Sequence, residues 1–138
     1  MLVEQRKMHG NSSTIEVLLF VESRYKVDRK RIKKAVQVTC KEQGIISSAE
    51  ISIAIVGDRK MQALNKKYRN IDKTTNVLSF SINEGSPTIM PTDKLRLGDV
   101  VLSYPQVIRD AARDDVLVDE KVEELVIHGT LHLLGVHH

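Results

Sequence analysis

Two histidines, His128 and His132, stand four positions apart near the end of the chain, and a third, His138, is its last residue. On a helix, positions i and i+4 project from one face. Two imidazoles at that spacing can grip one transition-metal ion. Gly135 falls where a helix C-terminus favours a left-handed residue. A turn there can bring His138 round to the same ion. Neutral imidazole is a ligand for zinc, nickel, copper and iron. Three protein ligands leave one position open for water, which is the arrangement of a catalytic rather than a structural zinc site. The alternative is incidental spacing, or the remnant of a purification tag. A tag would not interleave the apolar Leu131, Leu133 and Leu134. His137 points away from its neighbours in an extended tail and is not counted as a ligand.

Something must hold these side chains. The run from about Asp119 through Val122, Leu125 and Val126 has helical spacing and leads into the histidines. Upstream, Ile15, Val17, Leu19 and Val21 alternate as a strand does. Asp28 is placed to cap a helix reaching Gln43, with Ile32, Ala35, Val36, Thr39 and Cys40 inward and Gly44 as the stop. Its outer face carries Arg29, Lys30, Lys33, Lys34 and Lys41. That face reads first as solvated, with RNA contact as the alternative. A second strand is predicted over 49–56. A short helix capped by Asp58 follows, with Met61, Leu64 and Tyr68 inward. A basic loop over 66–75 leads to a third strand over 76–82. Residues 83–97 hold Pro87 and Pro91 and read as a loop. A fourth strand is predicted over 98–103, and Ser103 is placed to cap the helix that carries Pro105, Val107, Ile108, Ala111 and Ala112. Asp114 and Asp115 read as loop charges rather than a metal pair. The pattern predicts an α+β domain, helices packed on a four-stranded sheet, over 14–138, with a flexible lead-in over 1–13.

Composition narrows the class. The chain has 138 residues, enough for one domain with a real core. No apolar run approaches the ~18 residues of a membrane span. The start lacks the apolar block of a secretory signal. One cysteine, Cys40, excludes an internal disulfide framework, fits a reducing cytosol and reads as a small buried residue. A formal charge of +3 is compatible with a polyanionic partner. Aromatic residues make up only 4%, with no Trp, so an aromatic stacking platform for bases is not expected and phosphate contacts should dominate any RNA binding.

The spacing of His128, His132, Gly135 and His138 is similar to that of the metzincin zinc proteases, except that Gly129 stands where their general-base Glu follows the first His. More of the chain resembles the YbeY family of bacterial endoribonucleases. The stretch from His128 to Gly135 resembles that family's histidine signature. The resemblance extends to Tyr68-Arg69, to the run from Lys73 to Phe80 and to Gly98-Asp99, and so covers most of the chain from about residue 50 onward. Val136 and His137 depart from the usual Tyr and Asp. The family normally continues past the third histidine, so the chain reads as truncated at its C-terminus.

The resemblance implies a mixed sheet with a metzincin-like metal helix. It implies a metal-dependent, single-strand-specific endoribonuclease of ribosomal RNA maturation, acting at the 16S 3′ end and in ribosome quality control. Its partners would be ribosomal RNA and the small ribosomal subunit in the cytoplasm, with no membrane. The cofactor would be one divalent ion on His128, His132 and His138, zinc with nickel as the alternative. Arg69 is the expected catalytic and substrate-binding residue, because a guanidinium can grip two phosphate oxygens at once. Lys73, Asn76 and Ser79 are candidate substrate-binding residues, or structural ones. Asp99 is a candidate hydrogen-bond partner for a histidine, or a turn residue. Glu124 shares the helical face of His128 and His132. It could orient His128 or act as the base that Gly129 cannot supply, or be an exposed surface carboxylate. A metallopeptidase-like hydrolase and a non-catalytic ribosome-associated factor with a structural metal are the competing readings.

Overall fold

A computed structural model of the chain describes residues 14–82 and 95–136. The lead-in expected over 1–13, the greater part of the loop expected over 83–97, and His137 and His138 lie outside the described residues. The elements run β1 (Ile15–Val21), α1 (Arg29–Glu42), β2 (Ala49–Val56), α2 (Asp58–Arg69), β3 (Val77–Ser81), β4 (Leu95–Ser103), α3 (Tyr104–Asp114) and α4 (Val118–Leu133). The sheet is mixed and four-stranded, in the order β1-β2-β4-β3. β1 and β4 flank β2 in parallel, and β3 closes the sheet antiparallel to β4. The expected α+β architecture is present.

The larger core lies on one face of the sheet. Ile32, Val36 and Cys40 of α1 and Val122, Leu125 and Val126 of α4 pack there on Ile51, Ile53, Ile55, Val100 and Leu102. Burial pushes the Cys40 thiol up to about 11, which keeps it in the inert protonated form. The other face carries α2 over a smaller cluster of Val56, Met61 and Val101. Polar contacts add to the apolar packing of α1 and its N-cap against α4. Arg31 pairs with Glu123, and the Asp28 backbone N–H donates to Asp119.

Several boundaries differ from expectation. β4 begins at Leu95 rather than Gly98. The register slips there by one residue, Glu50 opposing Arg96 and Ile51 opposing Gly98, so Leu97 is an extra residue in β4. Gly57, not Asp58, occupies the N-cap of α2. Asp58 instead accepts hydrogen bonds from Thr74 (2.9 Å), Ser103 (2.8 Å) and Gln106 (3.0 Å). Desolvation pushes its carboxyl up, but these donors and Arg109 outweigh it and hold the group below the usual carboxylate range. Ser103 does occupy the N-cap of α3, but its hydroxyl goes to Asp58 and not to the helix. Asp114 ends α3 and pairs with Arg113 and Lys121, as a structural charge.

Candidate metal and phosphate groove

α4 delivers the two histidines. It approaches β4 so closely at Gly129 that an added Cβ would lie 2.6 Å from Val100 Cγ1. Only a glycine lets helix and strand meet at that distance. The helix ends as expected at Gly135 (φ 83°). Val136 N–H bonds to Leu131 O and Gly135 N–H to His132 O, the pairing of a Schellman turn. His128 and His132 are exposed, with rings nearly parallel (20°) and centroids 6.1 Å apart. With Arg69, Val77, Leu78, Ser79 and Gly129 they line one groove of about 160 Å³.

The opposite wall is β3. The Ser103 N–H donates to Asn76 O, so in this antiparallel pair residues 78 and 80 direct their backbone groups at β4. Residues 77, 79 and 81 direct theirs away from β4, at the outer side of the described sheet. Ser79 is thereby placed to serve two neighbours. Its side chain shares the face of its register partner Val100, and its hydroxyl lies 3.2 Å from His132 Nδ1. Its outward carbonyl accepts from Arg69 Nη2 at 2.8 Å. Arg69 comes from the far side of the sheet, at the end of α2, where Asn70 takes the left-handed conformation (φ 60°) and stops the helix. Its guanidinium sits 4.7 Å over the Phe80 ring, a cation–π contact that helps fix it beside the groove.

Four of the expected residues, Arg69, Ser79, His128 and His132, are therefore brought together. His138 lies outside the described residues. Among the described residues no group of three or more His, Cys, Asp or Glu is assembled for a metal. The two imidazoles supply part of a nitrogen donor set of the kind zinc and nickel accept.

The remaining candidates are placed elsewhere. The Asn76 amide donates to Asp110 of α3 at 2.9 Å, so Asn76 anchors the start of β3 and does not face the groove. Lys73 is exposed on the loop, held at its backbone carbonyl by the buried Asn65. Asp99 is not a partner of the histidines. It shares a face with Val101, which packs under α2, whereas the neighbouring Val100 meets α4. Asp99 accordingly lines a cavity on the far face with Phe20, Tyr68 and Phe80. Glu124 is exposed, and its carboxylate accepts from Lys121 Nζ at 3.0 Å. Tyr68, expected inward, is exposed and meets Phe80 edge-on. Sequence spacing gave no sign of the Phe80 platform under Arg69 or of the contact between Gly129 and Val100.

Glu124→Gln is therefore expected to leave metal affinity and cleavage rate unchanged. A loss of roughly 10–100-fold, the usual effect of removing a ligand's hydrogen-bond partner, would return the carboxylate to His128.

Comparison with known proteins gives a consistent result. The family profile described as "Endoribonuclease YbeY" matches residues 20–138. A protein named Endoribonuclease YbeY from Magnetococcus marinus is 41% identical over 98 residues, which is 67% of this chain and 67% of that protein. Its namesake from Desulforamulus reducens is 39% identical over 112 residues, 79% of this chain and 72% of that one. One from Dehalococcoides mccartyi strain CBDB1 is 35% identical over 135 residues, 90% of this chain and 81% of its own. The solution structure of TM1509 from Thermotoga maritima superposes with a TM-score of 0.55 at 23% identity, over 91% of this chain and 75% of that one, and so shares the fold. With the profile spanning most of the chain and relatives above one third identity, the chain belongs to the YbeY endoribonuclease family.

Proposed function

We propose that the protein is a metal-dependent, single-strand-specific endoribonuclease that acts on ribosomal RNA in the cytoplasm, at the 3′ end of 16S rRNA and in ribosome quality control, with the small ribosomal subunit as its partner. The observation that carries this reading is the grouping of Arg69 with His128 and His132 around one groove, joined through Ser79. Among the described residues no helix is long and apolar enough to cross a membrane.

His128 and His132, completed by His138, would hold one divalent ion, zinc or nickel. An ion bound there would lower the pKa of a water to about 7 and polarise a phosphoryl oxygen. Arg69 balances negative charge on the scissile phosphate from the β3 side of the groove. Ser79, whose hydroxyl lies 3.2 Å from His132 Nδ1, would orient that ring as a ligand to such an ion. Gly129 supplies no base, and its side of α4 is filled by Val100. That disfavours the metallopeptidase reading.

Purified protein offered labelled single-stranded RNA and casein, with and without chelator, tests the proposal. RNA cleavage is expected, lost with chelator and restored by zinc or nickel, with casein intact. Cleavage that survives full chelation would remove the metal from the mechanism. Casein hydrolysis with RNA spared would favour a peptidase. A metal that raises thermal stability without any cleavage would leave only a structural role.

A further inference from the structure

Helix α1 concentrates charge of one sign. Arg29, Lys30, Arg31, Lys33, Lys34 and Lys41 stand against one acid, Glu42, a formal +5, while the whole chain carries +3; everything outside the helix therefore sums to −2. Arg31 is half-buried and paired with Glu123. The other five cations are exposed, and among the described residues none of them forms an ion pair with a carboxylate.

Lys41 suits the C-terminal end and Asp28 caps the start, but the cations of the N-terminal half work against the helix itself. The first turn holds no acid, and Arg29 and Lys30 stand at the positive end of the helix dipole. Arg29 with Lys33 and Lys30 with Lys34 are like-charge pairs at i,i+4, which destabilise a helix. The buried face of Ile32, Ala35, Val36, Thr39 and Cys40 holds the helix in place regardless. Local choices that oppose the fold in this way mark functional surfaces.

We propose that the exposed face of α1 is a second RNA-binding surface, which anchors the phosphate backbone flanking the segment held in the groove. The inference rests on the RNA reading of the groove. One turn of helix repeats the charge every ~5.4 Å, a ladder suited to successive phosphates. The helix has no aromatic residue, so the contact is with backbone and carries no sequence preference. A protein partner would need an apolar centre, and Val38 is the only exposed large hydrophobic residue on the described helix. α1 packs beside α4 on one face of the sheet, whereas the groove lies between α4 and the β3 edge. A bound strand must pass over α4 to reach it.

The test compares wild type with the triple variant Lys30→Gln, Lys33→Gln, Lys34→Gln, which removes both like-charge pairs without creating new ones. Binding is read by fluorescence anisotropy in chelator across a salt series, with a long single-stranded RNA and a short one spanning only the scissile bond. Cleavage of both is read with metal present. For the long RNA, the slope of log affinity against log salt should fall by about 2 in the variant, at roughly 0.7 for each phosphate that is no longer neutralised. Cleavage of the short RNA should stay at the wild-type rate. The melting temperature should not fall, since the substitutions relieve the charge conflict. An unchanged slope with normal cleavage overturns this surface and leaves the groove reading intact. Equal losses on long and short RNA overturn it as well, since the effect would not be local. Loss of binding to phosphatidylglycerol vesicles with RNA binding retained would assign the helix to a membrane surface and overturn it. A wild type that neither binds nor cleaves RNA would sink the groove reading together with this one.

Discussion

Arg69→Ala is expected to cut RNA cleavage on the order of 10²–10³-fold, the usual effect of deleting a group that stabilises developing charge. Metal content and fold should be unchanged. The side chain is exposed, and its protein contacts include the Tyr68 and Ser79 carbonyls and the Phe80 ring. Removing these should cost less than about 1 kcal/mol of stability. Arg69→Lys should restore activity only in part. An ammonium can reach the groove but cannot hold the Ser79 carbonyl and grip two phosphate oxygens with one planar fork. Single-turnover rates at saturating RNA check this against metal content and melting temperature. Wild-type turnover in the alanine variant would mean that Arg69 merely caps the outer side of β3. The edge role is real in its own right, because a covered carbonyl removes one acceptor from a strand that could otherwise pair with another chain.

The sequence made the scaffold legible where one periodicity rules. β1 and β2 match the predicted bounds because an apolar residue recurs at every second position from Ile15 to Val21 and from Ala49 to Ile55. Asp28 caps α1 as read, accepting from the Arg31 N–H. Legibility fails where tertiary partners redirect a local preference. Asp58 has the chemistry of an N-cap, yet its carboxylate is taken by Thr74, Ser103 and Gln106, two of them more than forty residues away. The start of β4 was hidden because the extra Leu97 breaks the alternation that identifies a strand. Alternation puts Asp99 and Val100 on opposite faces of β4, but which of those faces meets α4 is set by tertiary packing and could not be read from spacing. The helix that carries His128 and His132 was plain from its period. What faces it was not, because β3 and α4 meet across some fifty residues of chain, as in the contact between Ser79 and His132.

Gly129 shows how that unseen neighbour governs the chemistry. Gly129→Ala is expected to destabilise the protein by about 1–2 kcal/mol, although alanine is the better helix former by roughly 1 kcal/mol. The new methyl would lie 2.6 Å from Val100 Cγ1, and Val100 is itself fully buried, so one of the two elements must move. Overpacking of this kind costs about 1–3 kcal/mol. Val100 is the register partner of Ser79, so the shift would carry α4 and His132 away from the serine and weaken metal binding as well. Gly129→Glu, the change that would restore a metzincin-like base, should do worse. It adds the same clash and places a carboxylate at a buried position. Val100→Ala should compensate. Alone it leaves a cavity, but with Gly129→Ala the two changes fill each other's space, and the pair should be more stable than the sum of the singles by at least ~0.5 kcal/mol. Urea denaturation of the four proteins measures that coupling, and metal titration of the same set follows the site. A strictly additive pair, or a Gly129→Ala protein as stable as wild type, would show that the helix does not depend on this approach and that the missing base has another cause.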